Sequence, residues 1–149
     1  MVTHDFIKFP ELTNRQLQEH IVSPFPQITE DIFVDVIKVI DGDTIKVRWE
    51  KRDFDFPVRF LDINAPEMNE GGEESKEYLK SVIEGEEVQL LINKNQRVGK
   101  YGRLLAKIIS LGMDVGEMMI MLGYATSFEN RNENKLPNLD KELRMEQWF

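Results

Sequence analysis

Charged side chains interrupt three stretches of this sequence that are otherwise rich in apolar residues. The first is Asp41-Gly42-Asp43, the second contains Arg59 and ends at Glu67, and the third contains Arg103. Arginine binds two phosphate oxygens through its planar guanidinium, and carboxylates bind hard cations such as Ca²⁺. These residue types together indicate chemistry on a phosphate group, assisted by a divalent cation.

Hydrolysis of a phosphodiester requires stabilised charge on the non-bridging oxygens and a positioned water molecule. Arg59 and Arg103 are the candidates for binding the phosphate charge. Asp43 and Asn64 are candidate metal ligands, because both carry side-chain oxygens. Glu67 is the candidate base that orients or deprotonates the water.

Each of these residues also has a purely structural interpretation. An Asp-Gly-Asp sequence is often only a turn between two strands. A half-buried Arg59 can pair with Asp41 or Glu67 to stabilise the fold. Arg103 can be a solvated strand residue, so only the combination of these residues favours a catalytic site.

The elements that must position these residues are mostly strands, because β-branched and alternating apolar residues dominate the middle of the chain. The predicted strands cover residues 32–40, 44–49, 56–63, 86–92 and 103–110. Helical spacing predicts helices over residues 11–21, 73–83 and 114–122, and a last helix after Pro137. Alternation along the third strand places Arg59 on the inward face and Asn64 on the opposite face, unless a bulge at the strand end places them differently.

This order of elements indicates an α+β fold with a mainly β core, a five-stranded OB-type Greek-key barrel with peripheral helices. Residues 31–149 are predicted to form this domain. Residues 1–30 are predicted to form an arm that packs on the barrel or on a second subunit, with Thr13 and Gln16 capping its helix. Gly42 is expected to adopt a positive φ in the turn between the first two strands.

The composition excludes several classes of site. The chain has no cysteine and only two histidines, distant from the motifs, so thiolate sites and histidine-based zinc sites are not expected. The net charge of −8 argues against a broad electrostatic grip on nucleic acid, and favours either a site confined to a cleft or a charged partner. The sequence shows no signal peptide and no apolar run of transmembrane length, so we expect a cytoplasmic protein without membrane contact.

The three motifs resemble those of the thermonuclease (staphylococcal nuclease-like) family. The motifs are residues 40–44, 59–67 and 98–106, and the resemblance extends over residues 34–125 with their order and spacing kept. It implies an OB-fold barrel and Ca²⁺-dependent hydrolysis of DNA and RNA to products that end in a 3′-phosphate. It also implies that Arg59 and Arg103 bind the phosphate, that Glu67 activates the attacking water and that Asp43 binds calcium.

The second motif departs from the pattern of this family. Asn64 stands where the family usually has a calcium-binding aspartate, which removes one full charge from the metal site. Asp62 is a hypothetical replacement for that carboxylate. Ala65 is expected to contribute only its backbone carbonyl.

The resemblance also directs attention to residues that contact substrate. Lys100 and Tyr101 are the candidate substrate-binding residues of the third motif. Base stacking can fall to Tyr101, Tyr124 or Phe128, among which the sequence does not choose.

Two functions therefore follow from the sequence. The retained arginines and Glu67 favour a metal-dependent nuclease that acts on DNA or RNA. Asn64 and the negative net charge favour the alternative, a catalytically weak module that binds nucleic acid or protein.

Overall fold

The computed structural model describes residues 10–18, 26–99 and 102–128, and most of its secondary-structure elements are short strands. The strands are β1 (Ile32–Asp41), β2 (Thr44–Arg48), β3 (Phe56–Phe60), β4 (Ile63–Asn64), β5 (Glu87–Leu91), β6 (Leu104–Ser110), β7 (Met113–Asp114) and β8 (Thr126–Ser127). The helices are α1 (Asn14–Gln18), α2 (Gly72–Ile83) and α3 (Val115–Met121), with a 3₁₀ turn at Met68–Glu70.

The sheet closes on itself through a pairing between β3 and β6. Strands β3, β2, β1, β5 and β6 are antiparallel neighbours in that order. β3 and β6 then pair in parallel, with Arg59 opposite Leu105. The result is a closed five-stranded barrel, and the predicted α+β OB-type fold is confirmed.

Alternating side chains of the barrel strands fill one apolar core. In β2, for example, Ile45 and Val47 are fully buried and the intervening Lys46 is exposed. Helix α2 covers β1 and buries Leu79 and Ile83, and its bounds are close to the predicted ones. Burial alternates regularly along most of β2, whereas the last three residues of β3, including Arg59, are all buried.

The third strand ends at Phe60, whereas the sequence predicted that it continues to residue 63. The chain bends at Leu61 and Asp62, and the separate strand β4 pairs with β8. The cause is Arg59, whose Nη1 donates to the carbonyl oxygens of both Phe60 (2.7 Å) and Ile63 (3.2 Å). A straight strand cannot turn two carbonyls of such spacing toward one guanidinium, so the prediction of a continuous strand was wrong.

The N-terminal segment lies on the barrel. Leu12 and Ile28 are 0% and 1% exposed, so both belong to buried structure. Helix α1 begins at Asn14, and its predicted capping box is present: Gln16 N donates to Thr13 Oγ1 (3.1 Å) and Thr13 N to Gln16 Oε1 (2.9 Å). The predicted end of this helix at residue 21 and the predicted helix after Pro137 lie outside the described residues.

No helix within the described ranges has both the length and the apolar character needed to cross a membrane.

Candidate active site

The pairing of β2 with β3 brings the acidic turn beside Arg59. Thr44, the first residue of β2, lies opposite Arg59 in the register of the two strands. Phe60 N also donates to the backbone oxygen of Asp43 (2.9 Å), which joins the turn directly to the end of β3. Two of the three sequence motifs therefore meet at one end of the barrel.

The carboxylate of Asp43 is a buried acceptor at the centre of the site. Its Oδ2 accepts from the backbone N of Ala65 (2.9 Å) and from Arg59 Nη2 (3.4 Å), and its Oδ1 accepts from the hydroxyl of Thr44 (3.2 Å). Asp43 is only 4% exposed. These bonds fix the carboxylate, because hydrogen bonds to an ionised oxygen are stronger than neutral ones.

Arg59 is 1% exposed and joins Asp43 to Asn64. Its Nη2 donates to Asn64 Oδ1 (3.2 Å) as well as to Asp43, and its guanidinium carbon lies 4.9 Å from the centre of the Phe128 ring. The prediction that Asn64 faces away from Arg59 was wrong, because the bend after Phe60 breaks the alternation. Arg59 forms its salt bridge with Asp43, and not with Asp41 or Glu67 as the structural interpretation supposed.

Asp41 had no predicted part in catalysis or metal binding, only an alternative structural pairing with Arg59. The backbone N of Asp43 donates to Asp41 Oδ1 (3.1 Å). The pKa of Asp41 is raised to about 7, first by burial and then by the side-chain hydrogen bond with Asp43 and the negative charge of Asp43. The signal in the sequence was the spacing, since two carboxylates two residues apart share one turn.

Gly42 is required by close packing. A Cβ at Gly42 would lie 2.7 Å from the Cβ of Ala65 and 2.8 Å from the Cβ of Ser75. Gly42 is absent from the glycines with positive φ, so the expected reason for glycine at this position was wrong. The missing side chain allows the acidic turn to pack directly against the Ala65 backbone and α2.

Arg103 lies immediately before β6, which pairs with β3. Burial lowers the pKa of its guanidinium, and the negative charges of Asp43 and Asp41 oppose that shift. Arg103 is half-buried, and its side chain forms no hydrogen bond or salt bridge with the part of the chain that the structure describes. A desolvated cation near two carboxylates, without a bonded partner there, is available to bind an anion.

Glu67 follows Pro66 on the loop between β4 and α2. Its backbone oxygen accepts from Glu70 N (2.8 Å) and Gly72 N (2.8 Å), and a Cβ at Gly72 would lie 2.6 Å from that oxygen. The first turn of α2 therefore closes directly on the Glu67 backbone. Within the described ranges the Glu67 carboxylate, which is partly exposed, has no hydrogen-bond partner.

The side-chain oxygens at this end of the barrel are of the type that a hard cation takes. They are the carboxylates of Asp41 and Asp43 and the amide oxygen of Asn64, while Ala65 presents its backbone N to Asp43. In the described chain, no three acidic or histidine side chains form a group that could hold a metal, so a cation bound there would need neutral oxygens as well.

Asp62 is not brought into this set. A Cβ on Gly116, near the start of α3, would lie 2.9 Å from Asp62 Oδ1, so the Asp62 carboxylate packs against that helix. The hypothesis that Asp62 replaces the missing carboxylate therefore has no support from this arrangement.

The candidate substrate contacts are divided. Lys100 and Tyr101 lie outside the described residues. Tyr124 stacks on Tyr78, with ring centres 4.5 Å apart and planes 12° from parallel, so one of its faces is covered. Phe128 lies against the Arg59 guanidinium, with its ring centre 4.9 Å from the guanidinium carbon.

The closed five-stranded barrel, with the acidic turn bonded to Arg59 at one end, is the architecture of an OB-type domain. The family model for staphylococcal nuclease homologues matches residues 57–147, and the chain belongs to that family.

Several proteins of similar sequence are named as endonucleases. The chain is 32% identical over 125 residues to an uncharacterized endonuclease of Escherichia coli O157:H7, covering 82% of this chain and 78% of that protein. It is 35% identical over 96 residues to the endonuclease YncB of Bacillus subtilis, covering 59% of this chain and 44% of that protein. It is also 34% identical over 103 residues to the prophage-derived endonuclease YokF of Bacillus subtilis, covering 64% and 34% of the two chains.

Proposed function

We propose that this protein is a nuclease that hydrolyses internal phosphodiester bonds of DNA or RNA. Membership of the staphylococcal nuclease homologue family and the relatives named as endonucleases support the reaction class. The observation that carries the proposal is the side chain of Arg103. It is a half-buried cation that interacts electrostatically with Asp41 and Asp43 and has no hydrogen-bond or salt-bridge partner in the described chain. The anion that completes such a site is the phosphate of the substrate.

In the proposed reaction, Arg103 and Arg59 bind the non-bridging oxygens of the phosphate. Glu67 accepts a proton from the attacking water while the water oxygen bonds to phosphorus. The ester bond on the opposite side breaks, and its oxygen leaves with a proton from solvent. Asp43 holds the Arg59 guanidinium in orientation through the salt bridge at 3.4 Å.

The proposed metal is Ca²⁺. Asp43 and Asn64 would hold it, with the Asp41 carboxylate nearby and, as the family resemblance implies, the Ala65 carbonyl as a further ligand. Bound Ca²⁺ would supply Lewis-acid stabilisation of the phosphate charge.

Closed circular single-stranded DNA and RNA are the substrates for the test. A circle has no free end, so any cleavage of it shows both nuclease activity and cutting at an internal bond. We expect linear products with Ca²⁺, and intact circles when a chelator removes it. Glu67→Gln should lower turnover by about 10²- to 10⁴-fold because it removes the base. The matched control is Glu70→Gln, which makes the same change on an exposed residue of the same loop and should cleave at the parent rate.

Asn64→Asp tests the metal ligands separately from activity. The new carboxylate keeps an acceptor for Arg59 Nη2 and adds one negative charge to the oxygen set. We expect Ca²⁺ to raise the unfolding temperature of Asn64→Asp at lower concentration than it does for the parent. Equal concentration dependence in both proteins would remove residue 64 from the metal site.

The alternative function is a module that binds nucleic acid or protein with little catalysis. The specific observation in its favour is Arg59, whose guanidinium donates to Asp43, Asn64, Phe60 and Ile63 within the protein. Intact circles across a panel of divalent metals, from a folded sample that still retards nucleic acid on a gel, would establish this alternative.

A further inference from the structure

A buried glutamate joins the N-terminal segment to two separate parts of the barrel. Glu11 is 1% exposed, and its carboxylate pairs with Arg52 through Oε1 and with Arg97 Nη2 (2.9 Å) through Oε2. Arg52 lies between β2 and β3, and Arg97 lies between β5 and β6. The two arginines therefore meet at one carboxylate that is distant from both in the sequence.

Arg97 directs its whole guanidinium toward the N-terminal segment. Its Nε donates to the Ile28 oxygen (2.9 Å), and its Nη1 donates to the Leu12 oxygen (2.8 Å) and to Asn14 Oδ1 (3.1 Å). With the bond from Nη2 to Glu11, all three nitrogens of the guanidinium are engaged. Asn14 adds a second attachment, because its Nδ2 donates to the Lys94 oxygen (2.7 Å).

The backbone of Arg97 is bonded to the segment that carries Arg103. The Arg97 oxygen accepts from Leu105 N (2.8 Å), and Gly99 N donates to the Arg103 oxygen (2.8 Å). Val98 and Leu104 form a bridge between these two bonds. The side chain of Arg97 thus holds the N-terminal segment, and its backbone holds the residues on both sides of Arg103.

We propose that Arg97 is a positioning residue for Arg103, and that residues 10–18 and 26–30 act through it as a brace for the site. This inference rests on the proposed nuclease function. The Arg103 side chain has no bonded partner in the described chain, so its position depends on the backbone that carries it. That backbone is held from outside the barrel by Arg97.

Stability alone is a weak explanation for this cluster. It buries two cations with one anion, and desolvation of buried ions costs free energy that their attraction often does not recover. Apolar side chains of similar volume often stabilise such positions equally well. A rigid connection between the N-terminal segment and the Arg103 backbone is a role that apolar contacts, which lack direction, do not provide.

The test compares full-length Arg97→Met with Arg52→Met. Both substitutions remove a buried arginine that pairs with Glu11, but only Arg97 is bonded to the Arg103 segment. We expect both variants to unfold at lower urea concentration than the parent. We expect Arg97→Met alone to lower kcat on a single-stranded oligonucleotide, by about 10- to 100-fold, because small misplacements of a catalytic group have effects of this size.

A double-mutant cycle separates positioning from general damage. If Arg97 acts through Arg103, Arg97→Met should change kcat by less than about twofold when Arg103→Ala is already present, because coupled residues are not additive. Losses that multiply, or equal losses of kcat in Arg52→Met and Arg97→Met, would overturn the proposal. Asn14→Ala provides a milder variant if Arg97→Met does not fold, and should lower kcat in the same direction.

Hydrogen exchange tests the brace even if the parent cleaves nothing. We expect Arg97→Met, or Asn14→Ala in its place, to accelerate exchange at the amides of Gly99 and Leu105 and to leave those of α2 unchanged. An inactive parent with this pattern would refute the nuclease and retain the brace. Unchanged exchange at Gly99 and Leu105 would refute the brace whatever the parent does.

Discussion

The two arginines of the site have opposite surroundings. Arg59 is 1% exposed and bonded to the carboxylate of Asp43 and to backbone oxygens, so it is part of the fold as well as of the site. The Arg103 side chain is half-buried without a hydrogen-bond or salt-bridge partner in the described chain, and burial lowers its pKa. Burying a charge without a partner lowers the stability of the fold, and such a loss of stability is common at functional residues.

The stability of matched variants should reveal this difference. Arg59→Met leaves the buried Asp43 carboxylate without its cation and should lower the free energy of unfolding by about 3–5 kcal/mol. Arg103→Met removes a desolvated charge and should leave that free energy within about 0.5 kcal/mol of the parent, or above it. Urea denaturation measures both, and the nuclease assay should find both variants inactive. A large loss of stability in Arg103→Met would mean that Arg103 has a structural partner.

At the scale of the elements, local patterns predicted most of the barrel. The alternation of apolar and polar residues predicted the bounds of β2 to within one residue. The spacing of Thr13 and Gln16 predicted the capping box of α1. The bend at Leu61 was not predictable from alternation, because its cause is a hydrogen bond from a side chain to the carbonyl of Ile63. Local sequence patterns indicate which side chains are exposed and which are buried. They do not indicate which backbone carbonyls a buried cation will bind.

The same limit applies to contacts between distant parts of the chain. Glu11 and Arg97 are 86 residues apart, and nothing near either residue in the sequence indicates the other. The sequence pointed to candidate site residues because arginine and carboxylate types are informative by themselves, and the roles of these residues stay predictions. Their geometry was not predictable, since Asn64 reached Arg59 only through the bend.

The start of α2 provides a test at this scale. A Cβ at Gly72 would lie 2.5 Å from the Pro66 oxygen and 2.6 Å from the Glu67 oxygen, both backbone atoms that cannot move alone. Gly72→Ala should therefore displace the Glu67 loop and lower kcat by about 10-fold or more, an effect typical of a misplaced catalytic group.

Leu79→Ala is the control for loss of stability. Leu79 is fully buried on the same helix, and its truncation should cost about 2–5 kcal/mol of unfolding free energy. Measured well below its unfolding temperature, this variant should keep the kcat of the parent. If Gly72→Ala retains kcat while Leu79→Ala loses it, the contact between α2 and the loop does not position Glu67.

At the scale of the whole molecule, the charge opposes the proposed substrate. The net charge is −8, and nucleic acid is a polyanion, so long-range forces are repulsive and only the site attracts. The candidate cations of the site are Arg59, Arg103 and Lys100. Affinity should therefore arise from a few phosphate contacts inside the cleft and not from a basic face.

The salt dependence of binding measures the number of phosphate contacts. Each neutralised phosphate of a single strand contributes about −0.7 to the slope of log affinity against log salt, so two or three contacts predict about a 7- to 20-fold loss between 50 and 200 mM NaCl. Screening of the repulsion from the acidic surface acts in the opposite direction, which makes this range an upper limit. The measurement is kcat/KM on a short single-stranded substrate at fixed Ca²⁺. A loss of about 10³-fold would correspond to about seven contacts and would indicate a basic surface outside the described site.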